Sequence, residues 1–126
     1  MPKREIKHPD KLADTGAYSA AVEVDGWVYV SGHGPLDMKT GEVIEGDIEL
    51  QTRITLEHIQ KVLGAAGCTM DDVVKSTCHL QDIDDFPRFN KVYSEFFSGV
   101  RPARTTVQST LLGIKVEIDV VAKKQS

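Results

Sequence analysis

Arg101-Pro-Ala-Arg-Thr-Thr-Val-Gln-Ser-Thr-Leu-Leu-Gly-Ile-Lys-Val-Glu-Ile-Asp119 is the stretch on which the fold turns. It reads as two strands joined by a tight connection. The first, Thr105 to Leu111, is rich in Thr and Val. The second, Lys115 to Ala122, alternates: Val116, Ile118, Val120 and Ala122 share one face, Glu117 and Asp119 the other. Gly113 marks the turn between them. Arg104 opens the first strand and Glu117 interrupts an otherwise apolar second one. A cation and a carboxylate on adjacent strands can bind a small acid and handle its proton transfers. They can equally form a cross-strand salt bridge on a solvated face.

Working outward, Asp25-Gly26 is a two-residue hairpin signal between Ser19–Val24 and Trp27–Ser31. The second of these strands runs into Gly32-His33-Gly34-Pro35, which reads either as a pocket floor or as a sharp bend. A loop follows, with a short strand at Val43-Ile44. The first helix is expected from Ile48 to Ala66, with Asp47 as N-cap and Gly67 beyond its end. Its apolar stripe is assigned to Leu50, Ile54, Ile59, Val62, Leu63 and Ala66, and its outer face to Gln51, Arg53, Glu57 and Lys61. Val73 to Gln81 reads as a strand with Val74, Cys78 and Leu80 on one face and Lys75, Thr77 and His79 on the other. Phe86, Phe89, Tyr93, Phe96 and Phe97 form the core stripe of a second helix, with Pro87 in its first turn. Asn90 in mid-helix is either exposed or spent on a specific hydrogen bond. Tyr18 is a packed aromatic or a pocket wall.

The order hairpin, helix, strand, helix, hairpin predicts an α+β fold: a mixed sheet with both helices on one face. The opposite face, half apolar, predicts a cyclic homo-oligomer with pockets at its seams. The chain of 126 residues reads as a single domain, 1–126, with residues 1–15 an irregular lead-in. The net charge of −4 speaks against nucleic acid as a partner. No apolar run reaches membrane-spanning length, so no membrane partner is expected. Cys68 and Cys78 have no metal-type spacing and read as reduced thiols of a cytoplasmic protein. The scattered histidines, the absence of paired-ligand spacings and the absence of a phosphate-cradling glycine loop imply neither metal nor cofactor.

Pro102-Ala-Arg-Thr-Thr-Val followed by Val116-Glu-Ile-Asp resembles the C-terminal signature of the RidA family, also called YjgF or L-PSP endoribonuclease. Trp27-Val-Tyr-Val-Ser-Gly, Lys39-Thr-Gly-Glu-Val, Asp72-Val-Val-Lys, Asp85-Phe-Pro-Arg-Phe-Asn and Tyr93-Ser-Glu-Phe-Phe continue the likeness over residues 16–122. The resemblance implies a chorismate-mutase-like fold and a homotrimer with clefts between subunits. It implies hydrolysis of reactive 2-imino acids and their 2-enamino tautomers to 2-oxo acids and ammonia. Arg104 then matches the arginine that grips the substrate carboxylate, and Glu117 the glutamate at the reacting centre. Tyr18 matches the aromatic cleft wall, Asn90 the helix amide near the site, and Ser31 and Gly32 the pair whose backbone lines the cleft. Two departures fall on pocket positions: His33 stands where the family usually has glutamine, and Thr106 where it often has cysteine. They leave room for a subgroup acting on another enamine acid, such as an aminomuconate-type intermediate. Two further readings stay open: a ribonuclease, and a non-enzymatic module that binds a small 2-oxo acid or acts as a holdase.

Overall fold

In a computed structural model, residues 2–14 and 16–125 are described. Met1 and Thr15, part of the expected lead-in, and the terminal Ser126 lie outside the described residues. Six strands form one sheet: β1 (Arg4–Ile6), β2 (Ala21–Val24), β3 (Trp27–His33), β4 (Val73–Leu80), β5 (Ala103–Gln108) and β6 (Val116–Lys123). Two helices, α1 (Ile48–Ala65) and α2 (Phe86–Phe96), pack on one face of it, giving the α+β architecture expected. The strand order is β1-β2-β3-β6-β4-β5.

The hairpin β2–β3 forms because Asp25 and Gly26 both take positive φ, 52° and 81°. That is the primed turn whose twist matches the strands it joins. The lead-in is not wholly irregular: Arg4–Ile6 adds to the edge of β2, with Glu5 opposite Val22. Val43 makes only an isolated bridge to Leu36 in place of the short strand expected there.

The C-terminal stretch departs from its reading. β5 and β6 are not a hairpin. β4 lies between them, parallel to β5 and antiparallel to β6. The connection β4–α2–β5 is a helical crossover, which sets β5 parallel beside β4. The segment 109–115 then passes the end of β4, where Ser109 N–H donates to Leu80 O and Gln81 N–H to Lys115 O. Crossing one strand means spanning about 10 Å, too far for a tight turn. β6 thereby becomes central, antiparallel to β3 on its other side, and its alternation holds: Val116, Ile118, Val120 and Ala122 are buried under α1.

Asp47 caps α1 as expected, its Oδ1 accepting from Leu50 N–H at 2.9 Å. The helix ends with Cys68 N–H donating to Leu63 O and Gly67 N–H to Gly64 O, a Schellman closure. The expected stripe holds at Ile59, Val62, Leu63 and Ala66, all buried, and departs in the first turn. Leu50 is 44% exposed while Gln51 is 1% exposed. Gln51 is drawn in because Nε2 donates to Ile44 O and Oε1 accepts from Lys115 N–H, both at 2.9 Å, which fastens the loop before α1 to the start of β6. In β4 a register shift between Val73 and Lys75 turns Val74 outward, leaving Ser76, Cys78 and Leu80 on the core face. On α2 the aromatic stripe packs as a ladder, with Phe89–Tyr93 centroids 5.6 Å and Tyr93–Phe97 centroids 4.6 Å apart.

Candidate functional site

The expected site residues fall into two groups on opposite faces of the sheet. Arg104 stands beside Ser76 in the β4–β5 register, and Ser76 is on the core face, its hydroxyl 2.6 Å from the Tyr93 hydroxyl. Glu117 stands beside His79 in the β4–β6 register. His79 is three positions after Ser76, an odd offset, so the pleat sends Arg104 and Glu117 to different sides. The expected pairing on adjacent strands does not occur within one chain.

The first group is built at the edge of the sheet against α2. Arg104 Nη1 donates to Asn90 Oδ1 at 2.8 Å, which settles Asn90 as a positioned side chain. The guanidinium lies 4.7 Å from the Tyr93 ring centroid and 5.4 Å from that of Phe86. An aromatic bed and one amide thus orient the fork while leaving donors for a ligand. The cleft in front of it, about 390 Å³, is lined by Asn90, Tyr93, Ser94, Arg101, Pro102 and Arg104. Thr106, two residues on, faces Cys78 and does not line this cleft. Its buried Oγ1 has no partner other than the weakly bonding Cys78 thiol. Burial pushes that thiol up to about 11, so it is protonated at neutral pH and not a nucleophile.

The second group is built on the bulge of β3. Between Val30↔Val120 and His33↔Ile118 the register slips, so Ser31 and Gly32 together face one residue of β6. Ser31 Oγ donates to Ser19 O at 2.6 Å and Ser31 N–H to Ala20 O at 3.0 Å, tying the loop that carries Tyr18 to the strand. Glu117 occupies the space above Gly32. The resulting pocket, about 490 Å³, is lined by Tyr18, Ser31, Gly32, Leu36, Ile114 and Glu117 among others. One wall is therefore apolar and one end carries a carboxylate. Lys11 Nζ sits 5.3 Å from the Tyr18 ring centroid, behind the pocket.

His33 is buried at the back of this region. Its Nε2–H donates to Ala20 O at 3.3 Å, and it borders a water-sized cavity shared with Tyr18 and Gly32. Burial depresses its pKa to about 4, so the ring is neutral at physiological pH. Sequence reasoning did not anticipate Arg101 in the first cleft, nor Leu36 and Ile114 in the second. The signal for Arg101 was present in the Arg-Pro-Ala-Arg spacing. Ile114 could be placed only once β6 was known to lie beside β3, where its Cδ1 comes within 2.7 Å of a Cβ built at Gly34. Among the described residues no helix is long and apolar enough to cross a membrane, and no three His, Cys, Asp or Glu side chains converge as metal ligands would.

The sequence model described as Endoribonuclease L-PSP matches residues 8–124. A RutC family protein of Saccharolobus solfataricus is 50% identical over 111 residues, 86% of this chain and 88% of that one. The 2-iminobutanoate/2-iminopropanoate deaminase of Mus musculus is 38% identical over 112 residues, 87% of this chain and 83% of that one. Among solved structures, E. coli TdcF with bound serine superposes with a TM-score of 0.88 at 31% identity, covering 97% of this chain and 99% of that one. The chain belongs to the RidA/YjgF family, whose sequence model carries the older description Endoribonuclease L-PSP.

Proposed function

We propose that this protein hydrolyses 2-imino acids and their 2-enamino tautomers to 2-oxo acids and ammonia, in the cytoplasm, as a homotrimer whose sites form between subunits. The observation that carries this reading is the division of the site. Arg104 with Asn90, and Glu117 with Tyr18, Ser31 and Gly32, line separate clefts on opposite faces and share no residue. Each is half of what the chemistry needs. A cyclic assembly brings the edge cleft of one copy against the open face of the next. That face offers Trp27, Tyr29, Val74 and Val107 as exposed apolar side chains to bury. The mouse relative's name supplies the reaction class, and the serine of the E. coli relative is a small carboxylate-bearing ligand.

In the assembled site the guanidinium of Arg104 pairs with the substrate carboxylate, fixing the imine carbon in front of Glu117 of the neighbouring copy. Glu117 accepts a proton from a water as its oxygen bonds to that carbon. The imine reacts in its protonated form, so the C=N π pair passes to nitrogen as the C–O bond forms and a neutral tetrahedral amino alcohol results. Glu117 returns its proton to the nitrogen, the C–N bond breaks as the hydroxyl proton passes back to Glu117, and ammonia leaves with the 2-oxo acid behind. One water is consumed per ammonia released. The backbone of Ser31 and Gly32 and the ring of Tyr18 bound the space.

The experiment is subunit mixing. Arg104→Ala and Glu117→Gln are each assayed with 2-iminobutanoate generated in situ by a pyridoxal-phosphate dehydratase, and each is expected to be inactive. Dissociated and reassembled together in equal amounts, they should regain about a quarter of wild-type activity, because one junction in four then joins an intact arginine half to an intact glutamate half. Two inactive variants that stay inactive after verified exchange would sink the shared site. A wild type that never accelerates keto-acid release would sink the deaminase reading.

A further inference from the structure

We infer that the site selects dianionic substrates, short 2-imino dicarboxylates, with Arg101 as the residue that holds the second carboxylate. The inference rests on the deaminase reading for its reaction and on an imbalance of charge for its substrate class. The chain has five arginines. Three are neutralised: Arg4 by Glu23 at 2.5 Å, Arg53 by Glu95 at 3.0 Å, and Arg88 by Asp47 at 3.0 Å and Glu49 at 3.1 Å. The other two, Arg101 and Arg104, have no carboxylate within ion-pair distance among the described residues, and both line the same cleft. No acidic residue lines it with them.

Both guanidiniums are held while keeping donors in reserve. Arg101 Nε donates to Phe97 O at 3.2 Å, which leaves its two terminal nitrogens for a ligand. Arg104 spends Nη1 on Asn90 and keeps Nη2 and Nε. Pro102 between them fixes one backbone dihedral, so their spacing is not left to a flexible loop. Two like charges in one cleft repel, and a ligand carrying a single carboxylate relieves only half of that. An acid with carboxylates at both ends relieves it all: the carboxylate next to the imine carbon on Arg104, the distal one on Arg101. The reaction is unchanged, with water adding at the imine carbon and ammonia leaving. The distal carboxylate stays on the arginine side, away from Glu117, where a second negative charge would be repelled. Such imines arise from oxidation of acidic amino acids, so the supplying reaction is an amino-acid oxidation.

The test has a binding arm and a turnover arm, both on the full chain with assembly checked by sedimentation. By calorimetry, wild type should bind 2-oxoglutarate about tenfold or more tighter than 2-oxobutanoate. Arg101→Ala should erase that preference, weakening 2-oxoglutarate about tenfold or more and 2-oxobutanoate by no more than about twofold, and Arg104→Ala should weaken both ligands. In turnover, iminosuccinate is generated from D-aspartate and 2-iminopropanoate from D-alanine by the matching flavin oxidases. Arg101→Ala should lower kcat/KM about tenfold for the first and hardly at all for the second. If wild type binds both 2-oxo acids equally, or Arg101→Ala changes assembly without changing preference, the inference is overturned and Arg101 serves a contact between copies. If the binding preference holds while neither imine is turned over, the dianion site stands and the deaminase reading fails.

Discussion

The carboxylate of Glu117 fills the space a side chain at Gly32 would need: a Cβ built on Gly32 comes within 2.8 Å of Oε2 and 2.9 Å of Cδ. Gly32 does not need positive φ, so what the site requires there is room. Gly32→Ala should therefore fold and assemble with little change in stability, because the obstructing atoms belong to a side chain that can swing aside. It should still lose activity, about tenfold or more in kcat with KM less affected, because the carboxylate is moved off the reacting carbon. Thermal melting and steady-state kinetics on the same preparation check both halves. An active Gly32→Ala would mean that the position of Glu117 over the bulge is irrelevant to the reaction.

Asn90 holds the Arg104 guanidinium through one charge-assisted hydrogen bond of 2.8 Å, over the face of Tyr93. Removing it with Asn90→Ala leaves the charge but frees the fork to rotate. A bond of this kind contributes about 1.5–3 kcal/mol, less where solvent competes, so KM should rise about tenfold with kcat nearly kept. Arg104→Lys should not rescue carboxylate binding, because an ammonium cannot supply the bidentate geometry. Michaelis parameters for the two variants decide the matter. Equal losses in kcat and kcat/KM for Asn90→Ala would assign Asn90 to the transition state instead of to the grip.

How far the sequence reaches can be seen residue by residue. Alternation along β6 gives the faces of Glu117 and Val116 correctly, since side-chain period depends only on the strand itself. Which strand lies beside β6 does not follow from that period, and the apparent tie across Gly113 led to a hairpin where β4 intervenes. That one neighbour decides whether Arg104 and Glu117 meet within a chain. The motif residues of each cleft are legible because they are local: Ser31-Gly32 on one bulge, Asn90 and Arg104 across one crossover. The walls added by Leu36, Ile114 and Arg101 come from chain distant in sequence or from loop conformation, and no local pattern encodes them.

Gln51 shows the same limit on α1 and gives a stability test. Helical spacing alone favours Leu50 inside and Gln51 outside. The opposite occurs because Gln51 satisfies Ile44 O and Lys115 N–H, the latter sixty-four residues away. Gln51→Leu gains apolar volume but strands both backbone groups. It should cost about 2–3 kcal/mol in chemical denaturation. Leu50→Gln, at a half-open position, should change stability by about 0.5 kcal/mol or less. Reversal of that order would show that the bridge from Gln51 is not what joins the loop to β6.

Two buried histidines predict how the protein responds to acid. Asp10 N–H donates to His8 Nδ1 at 3.1 Å, so His8 carries its proton on Nε2 and donates to His58 Nδ1 at 3.0 Å. His58 in turn donates from Nε2 to Leu36 O at 2.7 Å. These hydrogen bonds fix the orientation of both rings and clip the segment before Tyr18 to α1. Burial first, then the nearby His58, depresses His8 to about 4, and burial depresses His33 to about 4 as well. Both lie below the ordinary 6.5, so between these values the unfolded chain binds more protons than the folded one, and stability rises with pH. The contribution is complete above 6.5 and is lost as pH falls toward 4, with a slope of up to about 1.4 kcal/mol per pH unit for each ring. Urea midpoints at pH 5 and pH 7 should differ accordingly, and His33→Gln should shrink the difference by about half. Midpoints that do not move between those pH values would mean that neither ring is neutral by constraint. In that case the segment leading to Tyr18 is fastened by the Leu12 and Ala13 bonds to Met38 O instead.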